Sequence, residues 1–153
     1  MAEIEIVMEV SGLDKLEQTL VAGGKKASVN FLRKIEKKVA QVPLAAMRET
    51  VPVAEKAYRR GDHKGGSTWI EPGTLQASLR ISSESIKSQN EVVVHIGPAS
   101  SESFVGRFLE FGTEKMPARH WMDAAWQASR SGLLDAYQEI TTELLTDIAA
   151  EAK

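Results

Sequence analysis

Three segments of the chain have the pattern of strands: two alternate between hydrophobic and polar residues, and the third is a mainly apolar run flanked by polar residues. The segments are 4–10, 75–83 and 91–97, and the polar residues 84–90 suit a hairpin connection between the last two. We therefore expect a small antiparallel sheet with one buried face. In the second segment that face would consist of Leu75, Ala77, Leu79 and Ile81.

Apolar residues at spacings of three and four predict two helices in the N-terminal third. A short helix is expected at 13–20 and a long one at 28–50. Pro43 lies inside the long helix and should kink or split it near 39–42, because proline lacks an N–H and crowds the preceding turn. The apolar stripe of the long helix comprises Leu32, Ile35, Val39, Val42 and Ala46.

Two more helices are predicted after the strands. The first covers 101–111, with Ser101 or Ser103 as its N-terminal cap and Gly112 as its stop. The second begins near Pro117 and runs to about residue 150. Gly132 is its weakest position and is expected to bend it. Its core stripe comprises Met122, Trp126, Ser129, Leu133, Tyr137, Ile140, Leu144 and Ile148.

The chain of 153 residues has the length of a single domain. Residues 59–73 are rich in glycine and charge, which predicts an extended, exposed and mobile loop, and residues 113–118 form a corner linker. The order of elements is β-α-α-β-β-α-α. This order predicts an α+β fold, in which a small antiparallel sheet packs against a long N-terminal helix and a long C-terminal helix.

Side chains suited to catalysis or to metal binding show no recognised pattern. The chain has no cysteine, which excludes disulfides and thiolate ligands. His63, His95 and His120 fall in three different elements without a spacing that suits zinc. A nucleophile elbow and a phosphate-binding loop motif are also absent from the sequence. We therefore predict that the protein is not an enzyme and uses no cofactor.

The sequence gives no indication of a secretory signal peptide or of a membrane-spanning helix. The first ten residues, MAEIEIVMEV, are acidic and alternating, unlike a secretory signal peptide. No apolar run approaches the ~20 residues that a membrane-spanning helix needs. The sequence predicts no membrane partner.

Charge is unevenly distributed, although the net charge is only −2. A basic segment lies at 25–38, and an acidic segment without basic residues covers 135–151, where carboxylates recur every four positions along one ridge of the helix. The ridge is either solvated or pairs with the basic segment. Such pairing would occur within one chain or, in our hypothesis, between neighbouring copies in a ring. The basic residues are Lys25, Lys26, Arg33, Lys34, Lys37 and Lys38, and the acidic ones are Asp135, Glu139, Glu143, Asp147 and Glu151.

The predicted loop 59–73 has a second group of basic residues. One interpretation is simple disorder, and the other is a flexible finger that reaches a neighbouring subunit or a DNA channel. Its cations would then contact phosphates without reading sequence. Trp69 would anchor the end of the loop or dock into a partner. The residues concerned are Arg59, Arg60, His63, Lys64 and Trp69.

The segment RFLEFGTEKMPARHW at 107–121 predicts a sharp corner between two helices. At helical spacing Phe108 and Phe111 share a face, and we expect them to form an aromatic plug while Glu110 points away. A glutamate here has no second acid and no nearby histidine in sequence, so a structural or interface role is favoured over catalysis.

Three further residues shape this predicted corner. Gly112 permits a left-handed backbone that other residues resist. Thr113 is free to form a hydrogen bond with local backbone. Pro117 fits the first turn of the following helix.

The longer stretch FLEFGTEKMPARHWMDAAW resembles the signature of a tail-component family of long-tailed bacteriophages, which includes the HK-type head–tail joining proteins. Residues 108–113 match its aromatic residue followed by Leu-Glu-Phe-Gly-Thr, and 115–118 match its basic-and-proline link. Residues 119–124 differ, since the family has a second proline, a phenylalanine and a Pro-Ala pair there. Upstream, 72–79 resemble its Gly-x-Leu-x-x-Ser-Ile element, and 12–16 resemble its start.

This resemblance implies a bacteriophage virion protein at the neck or upper tail, assembled in the cytoplasm of the bacterial host. Copies would form a homo-oligomeric ring, a hexamer or larger, that completes the tail and joins it to the head. The ring would contact neighbouring neck and tail proteins and let duplex DNA pass without sequence-specific contact. The alternative is a generic oligomeric protein that associates with DNA independently of sequence. A small hydrolase is a third class, for which the sequence offers no converging titratable groups.

Overall fold

The computed structural model describes residues 25–61, 64–86 and 91–151. The predicted strand at 4–10 and the predicted helix at 13–20 lie outside these residues. The described helices are α1 (Lys25–Val39), α2 (Gln41–Thr50), α3 (Thr74–Ser78), α4 (Ser103–Phe111) and α5 (Trp121–Glu151), and the described strands are β1 (Tyr58–Gly61), β2 (Ser67–Ile70), β3 (Leu79–Ile86) and β4 (Glu91–Pro98).

Pro43 divides the predicted long helix into α1 and α2, as expected. The break falls at Ala40, which keeps a helical conformation with φ −62° and ψ −13°. Because Pro43 has no N–H, the Val39 carbonyl loses its intrahelical donor. The neighbouring bonds survive, since Leu44 N donates to the Ala40 carbonyl at 3.2 Å.

The predicted hairpin exists, but its first strand starts later than expected. β3 and β4 pair antiparallel, with Ile81 opposite Ile96. The segment 74–78, predicted as strand, is the short helix α3 instead. Gly73 turns the chain there with φ 83°, and the Ala77 N–H donates to the Gly73 carbonyl at 2.8 Å. Local hydrogen bonds therefore favour a helical turn over extension.

The segment 59–73 is not the predicted loop without regular structure, because much of it forms a second hairpin. β1 and β2 pair antiparallel, with Tyr58 opposite Ile70 and Arg59 opposite Trp69. Gly65, in the connection between the strands, has φ 81°, a backbone conformation that suits glycine. Glycine in this segment thus serves the turn between the two strands.

The C-terminal helix α5 spans 31 residues and starts at Trp121, later than the predicted start near Pro117. It continues through Gly132 without interruption of its helical hydrogen bonding. Its predicted stripe is confirmed from Met122 to Leu144, where every member is buried or half-buried. The Ile148 side chain lies outside the described part.

The fold is α+β, with helices packed on small antiparallel sheets. α1 and α2 both pack against α5, and α1 and α2 also contact β3 and β4. One core cluster joins α2, α3, the β3–β4 hairpin and the start of α5, where Trp121 is buried. A second cluster joins Phe31, Ile35 and Val39 of α1 to Leu133 of α5. In the described part of the chain, no helix is long and apolar enough to cross a membrane.

Candidate functional site

The buried residues of helix α4 are Gly106 and Glu110, although Glu110 was expected to point away from the core. Phe104, Phe108 and Phe111 are 41%, 42% and 63% exposed, whereas Glu110 is 5% exposed. Glu102, just before the helix, is buried as well. The predicted aromatic plug is therefore wrong. Helical spacing correctly places Phe108 and Phe111 together, but it does not say which face points inward. We call Phe104, Phe108 and Phe111 the phenylalanine ridge.

Glu110 is buried because its carboxylate caps the N-terminus of α5. The Met122 N–H donates to Glu110 Oε2 at 2.7 Å, and the Asp123 N–H donates to Oε1 at 3.3 Å. These N–H groups belong to the first turn of α5, where no intrahelical acceptor exists. The helix dipole also favours a negative charge at this end. Both oxygens of Glu110 are thus engaged in holding the corner.

Gly112 closes the corner in a conformation that only glycine adopts readily. Its φ is 77° and its ψ is −178°, which confirms the predicted positive φ. Thr113 also behaves as predicted, since its Oγ1 accepts from the Lys115 N–H at 3.2 Å. Pro117 does not, because it is exposed and lies four residues before α5 begins. The start of α5 is instead fixed by the cap from Glu110.

Trp121 fixes α4 against α5 through a contact that sequence reasoning missed. Its Nε1 donates to the Gly106 carbonyl at 3.0 Å. A Cβ on Gly106 would lie 3.0 Å from Pro98 Cγ and 3.5 Å from Trp121 Cζ2, so the helix surface approaches closely here. The spacing of residues could have indicated this contact, since Gly106 lies four positions from both Glu102 and Glu110, on the same side of a helix. These three residues form the buried edge of the helix.

Glu102 is neutralised by Arg60 of the β1–β2 hairpin. Arg60 donates through NH1 and NH2 to the two Glu102 oxygens, each at 2.8 Å. The same guanidinium lies 5.1 Å from the ring centroid of Phe104, a cation–π distance. Hydrogen bonding to Glu102 raises the pKa of Arg60 above its ordinary value. Arg60 therefore holds the hairpin on α4, and the prediction that it reaches phosphates is not supported.

A cavity of about 600 Å³ opens between the hairpin, the segment 52–55 and α4. Its volume is within the range of about 300–1,000 Å³ typical of ligand pockets. Phe108 of the phenylalanine ridge lines it, so the ridge and the cavity are continuous. Other lining residues are Pro52, Val53, Tyr58, Ile70, Leu75, Val105, Leu109 and Met116, with Glu55, Glu71 and Arg119 among the charged ones.

Among the described side chains, one ion pair joins the predicted basic residues of α1 to the predicted acidic residues of α5. Lys38 Nζ lies 3.2 Å from Glu143 Oε1, and the two side chains are 45% and 56% exposed. An exposed pair of this kind contributes about 0–1 kcal/mol. Arg33 donates to Asn30 Oδ1 at 3.2 Å on its own helix.

The other charged residues of these segments remain at the surface. Lys34, Lys37, Asp135 and Glu139 are exposed. The side chains of Lys25, Lys26, Asp147 and Glu151 lie outside the described residues. Among the side chains that are described, the intrachain route is thus observed for a single pair, and pairing between copies stays a prediction.

The remaining candidate residues do not converge. Arg59, Lys64 and Trp69 are exposed on the hairpin or its connection, and His63 lies outside the described residues. His95 is in β4 and His120 precedes α5. Within 25–61, 64–86 and 91–151, no group of three His, Asp or Glu residues could hold a metal ion.

A buried acid lies on the seam between α1 and α5. The Tyr137 hydroxyl donates to Glu36 Oε1. Burial raises the pKa of the Glu36 carboxyl, and the hydrogen bond from Tyr137 opposes that rise only in part. Burial and the bond to Glu36 raise the pKa of Tyr137 as well. Glu36 therefore favours its neutral form more strongly in the folded protein than in the unfolded chain.

We expect Glu36→Gln to stabilise the protein increasingly as the pH rises from about 4 to 7. A raised folded pKa means that the folded state binds more protons, so wild-type stability falls as the pH rises from the unfolded value of about 4.3 through the folded one. Glutamine keeps an acceptor for Tyr137 and does not ionise. Urea unfolding across this pH range measures the difference, with exposed Glu49→Gln as the matched control. A Glu36→Gln difference that is independent of pH would contradict the argument.

Comparisons of the chain with protein-family models, with curated proteins and with solved structures find no match. The site must therefore be interpreted from its own geometry. That geometry is a corner whose buried carboxylates, Glu102 and Glu110, are engaged internally and whose phenylalanines face solvent beside an apolar cavity. Such an arrangement suits protein docking.

Proposed function

We propose that the chain is a structural subunit of the virion of a long-tailed bacteriophage. It would sit at the neck or upper tail, where copies form a ring that completes the tail and joins it to the head around the DNA channel. The resemblance of residues 108–113 and 115–118 to the tail-component family motivates this proposal. The geometry of the corner supports it independently.

The phenylalanine ridge is the observation that carries the proposal. Burying a phenylalanine side chain stabilises a protein by roughly 1.5–3 kcal/mol, yet three of them on α4 face solvent. An exposed apolar patch of this kind marks an interaction surface in most soluble proteins. Aromatic residues are also enriched at the centres of protein interfaces. The arrangement is explained if the phenylalanine ridge becomes buried only when subunits assemble.

The corner explains how such a ridge is kept in place without a partner. Glu110 and Gly112 fix the orientation of α4 relative to α5. Arg60 holds α4 on the β1–β2 hairpin. The ridge is therefore held on a rigid support before assembly, which lowers the entropic cost of docking. The most specific part of the family-like motif is the part that builds this support.

The exposed charges provide orientation in the proposed ring. The exposed carboxylates of α5, among them Asp135 and Glu139, form an acidic face, and exposed Lys34 and Lys37 form a basic face on α1. One copy can therefore present its acidic face to the basic face of the next. Exposed pairs add little affinity, but they set orientation and exclude wrong partners. The apolar surface would supply most of the binding energy.

Electron microscopy of the purified chain tests the proposal. We expect closed rings at high protein concentration, with a channel of about 20–40 Å that admits a duplex and surrounding side chains. Lysine at positions 139, 143 and 147 (Glu139→Lys, Glu143→Lys, Asp147→Lys) should abolish rings and leave the circular dichroism melt of the monomer intact. Normal rings from this triple variant would show that these charged side chains are not needed for assembly.

The alternative, a sequence-independent DNA-associated protein, is favoured by the exposed basic residues of α1 and of the β1–β2 hairpin, among them Lys34, Lys37, Arg59 and Lys64. It predicts that the isolated chain binds duplex DNA with an affinity that falls steeply as salt rises. The ring proposal predicts no such binding by the single subunit. DNA titrations at two salt concentrations, run beside the microscopy, therefore separate the two functions.

A further inference from the structure

Trp69 projects from the outer face of the β1–β2 hairpin. Trp69 and Arg59 are directly opposite in the antiparallel register, so their side chains share one face. The other face carries Ile70, which is buried, and Arg60, which binds Glu102 of the protein body. The face with Trp69 must therefore point away from the body, and Trp69 is 58% exposed.

The inner face of the same hairpin lines the 600 Å³ cavity. Tyr58 and Ile70 contribute to its wall, together with Phe108 of the phenylalanine ridge. A projecting indole and an apolar cavity thus lie on opposite sides of one small element. This back-to-front arrangement is the geometry of a heterologous contact, in which one copy presents a projection and the next presents a cavity.

Charge around the two surfaces is complementary. The projecting face carries exposed Arg59 beside Trp69. Exposed Glu55 and Glu71 both line the cavity, and exposed Arg119 lines it as well, so two exposed acids stand against one exposed base there. Glu102, which also lines it, is already paired with Arg60. The exposed acids at the cavity would therefore face an incoming cation beside an incoming aromatic ring.

We propose that Trp69 of one copy of this chain docks into the cavity of the next copy, with Arg59 facing Glu55 and Glu71. This inference rests on the proposed function, because it names the contact through which neighbouring subunits of the ring would join. Docking would remove from water the exposed part of the indole, 58% of the residue's surface, and Trp and Arg dominate the energetics of such interfaces. Trp69 is the anchor, and the charges set the direction of docking.

Site-directed cross-linking tests the contact, because the chain has no cysteine of its own. Ser67→Cys places a thiol on the outer face of the hairpin, two residues from Trp69. Val53→Cys places one at the cavity, at a half-exposed position. Each full-length variant carries a single cysteine, so no cross-link can form within one molecule. Different tags distinguish the mixed product from the products that join identical variants. A short bis-maleimide then links them across a series of protein concentrations.

We expect the mixed Ser67→Cys and Val53→Cys product to dominate over both products that join identical variants. Adding Trp69→Ala to the Ser67→Cys chain should raise the concentration for half-maximal linking by at least about 30-fold, the effect of losing a hot-spot residue. Adding Arg59→Ala instead should raise it by no more than about 5-fold, as for an exposed ion pair. Unchanged circular dichroism melts confirm that both exposed substitutions leave the fold intact.

Three results would overturn the inference. One is a dominant Ser67→Cys homodimer, since it would show hairpin meeting hairpin in a two-fold contact. Another is the absence of the mixed product at every concentration up to the millimolar range. The third is a mixed product that is insensitive to Trp69→Ala, because the cavity would then receive something else.

Failure of the inference is distinguishable from failure of the proposed function. Rings seen by electron microscopy without the mixed cross-link would leave the virion proposal standing and remove Trp69 from its interface. A mixed cross-link that builds only open chains would support the Trp69 contact and contradict the closed ring.

Discussion

Glu110→Ala is expected to lower the free energy of unfolding by about 2–4 kcal/mol. The substitution removes a buried carboxylate that accepts from the Met122 and Asp123 N–H groups. Each N–H left without an acceptor costs roughly 1–3 kcal/mol, and the favourable charge at the helix N-terminus is lost as well. Urea unfolding followed by circular dichroism measures the change. Because the cap sets where α5 starts, we also expect the first turn of α5 to lose amide protection in hydrogen exchange.

Two control variants separate capping from the mere loss of a carboxylate. Glu110→Gln keeps an acceptor oxygen but removes the charge, so its loss should be about half that of alanine. Glu114→Ala removes an exposed carboxylate four residues later and should change stability by no more than about 0.5 kcal/mol. If Glu110→Ala behaved like Glu114→Ala, Glu110 would not be a cap, and the account of the corner would fail.

The features that sequence predicts well are those set by local covalent geometry and periodicity. Pro43 divides the N-terminal helix because a missing N–H acts wherever it occurs. The stripe of α5 recurs at helical spacing from Met122 to Leu144, and that regularity identifies its buried face without knowledge of the partner. Gly112 is another local case, since a positive φ is a property of the residue itself.

The segment around α3 was mispredicted because its pattern fits two structures. Leu75 and Leu79 are both buried, and they are four residues apart, a spacing that suits strand alternation and helix periodicity alike. Hydrogen bonds around Gly73 select the helix. The β1–β2 hairpin was missed for a similar reason, because Gly65 and its neighbours have the composition of a flexible loop and of a tight turn.

The buried face of α4 was unpredictable because it depends on partners distant in sequence. Glu102 is paired with Arg60, 42 positions away, and Glu110 accepts hydrogen bonds from backbone N–H groups 12 and 13 positions away. Without those partners, burying two carboxylates would be prohibitive, and the phenylalanines would be expected inside. Sequence periodicity identifies the two faces of this helix, but only the long-range pairing decides which one is buried.

This inversion connects the fold to the proposed function. Violations of the pattern of apolar inside and polar outside are expected where a protein has a task besides folding. Here the internal carboxylates hold α4 rigidly, and the consequence is that Phe104, Phe108 and Phe111 remain available at the surface. The same residues that a resemblance to phage tail proteins would single out are therefore explained as support for a docking surface.

Gly112→Ala is the second substitution for which we expect a large effect, a loss of at least about 3 kcal/mol. With φ 77° and ψ −178°, Gly112 occupies a backbone region that is essentially restricted to glycine, at a cost of about 1–3 kcal/mol for other residues. A Cβ would also lie 2.7 Å from Ala118 N and 2.8 Å from Met116 O. Both are backbone atoms, and Met116 O is the acceptor for the Thr113 N–H.

Gly65→Ala is the matched control, because it shares the positive φ without the close contacts. Gly65 has φ 81°, and a Cβ added there would meet nothing within 4 Å, so only the backbone strain of about 1–2 kcal/mol should appear. The excess loss of Gly112→Ala over Gly65→Ala in urea unfolding therefore reports the clash together with the strain of the ψ near 180° at Gly112. Equal losses would mean that the corner yields to a methyl group, and that Gly112 does not hold α4 rigidly against α5. The phenylalanine ridge would then lack the fixed support that the docking proposal requires.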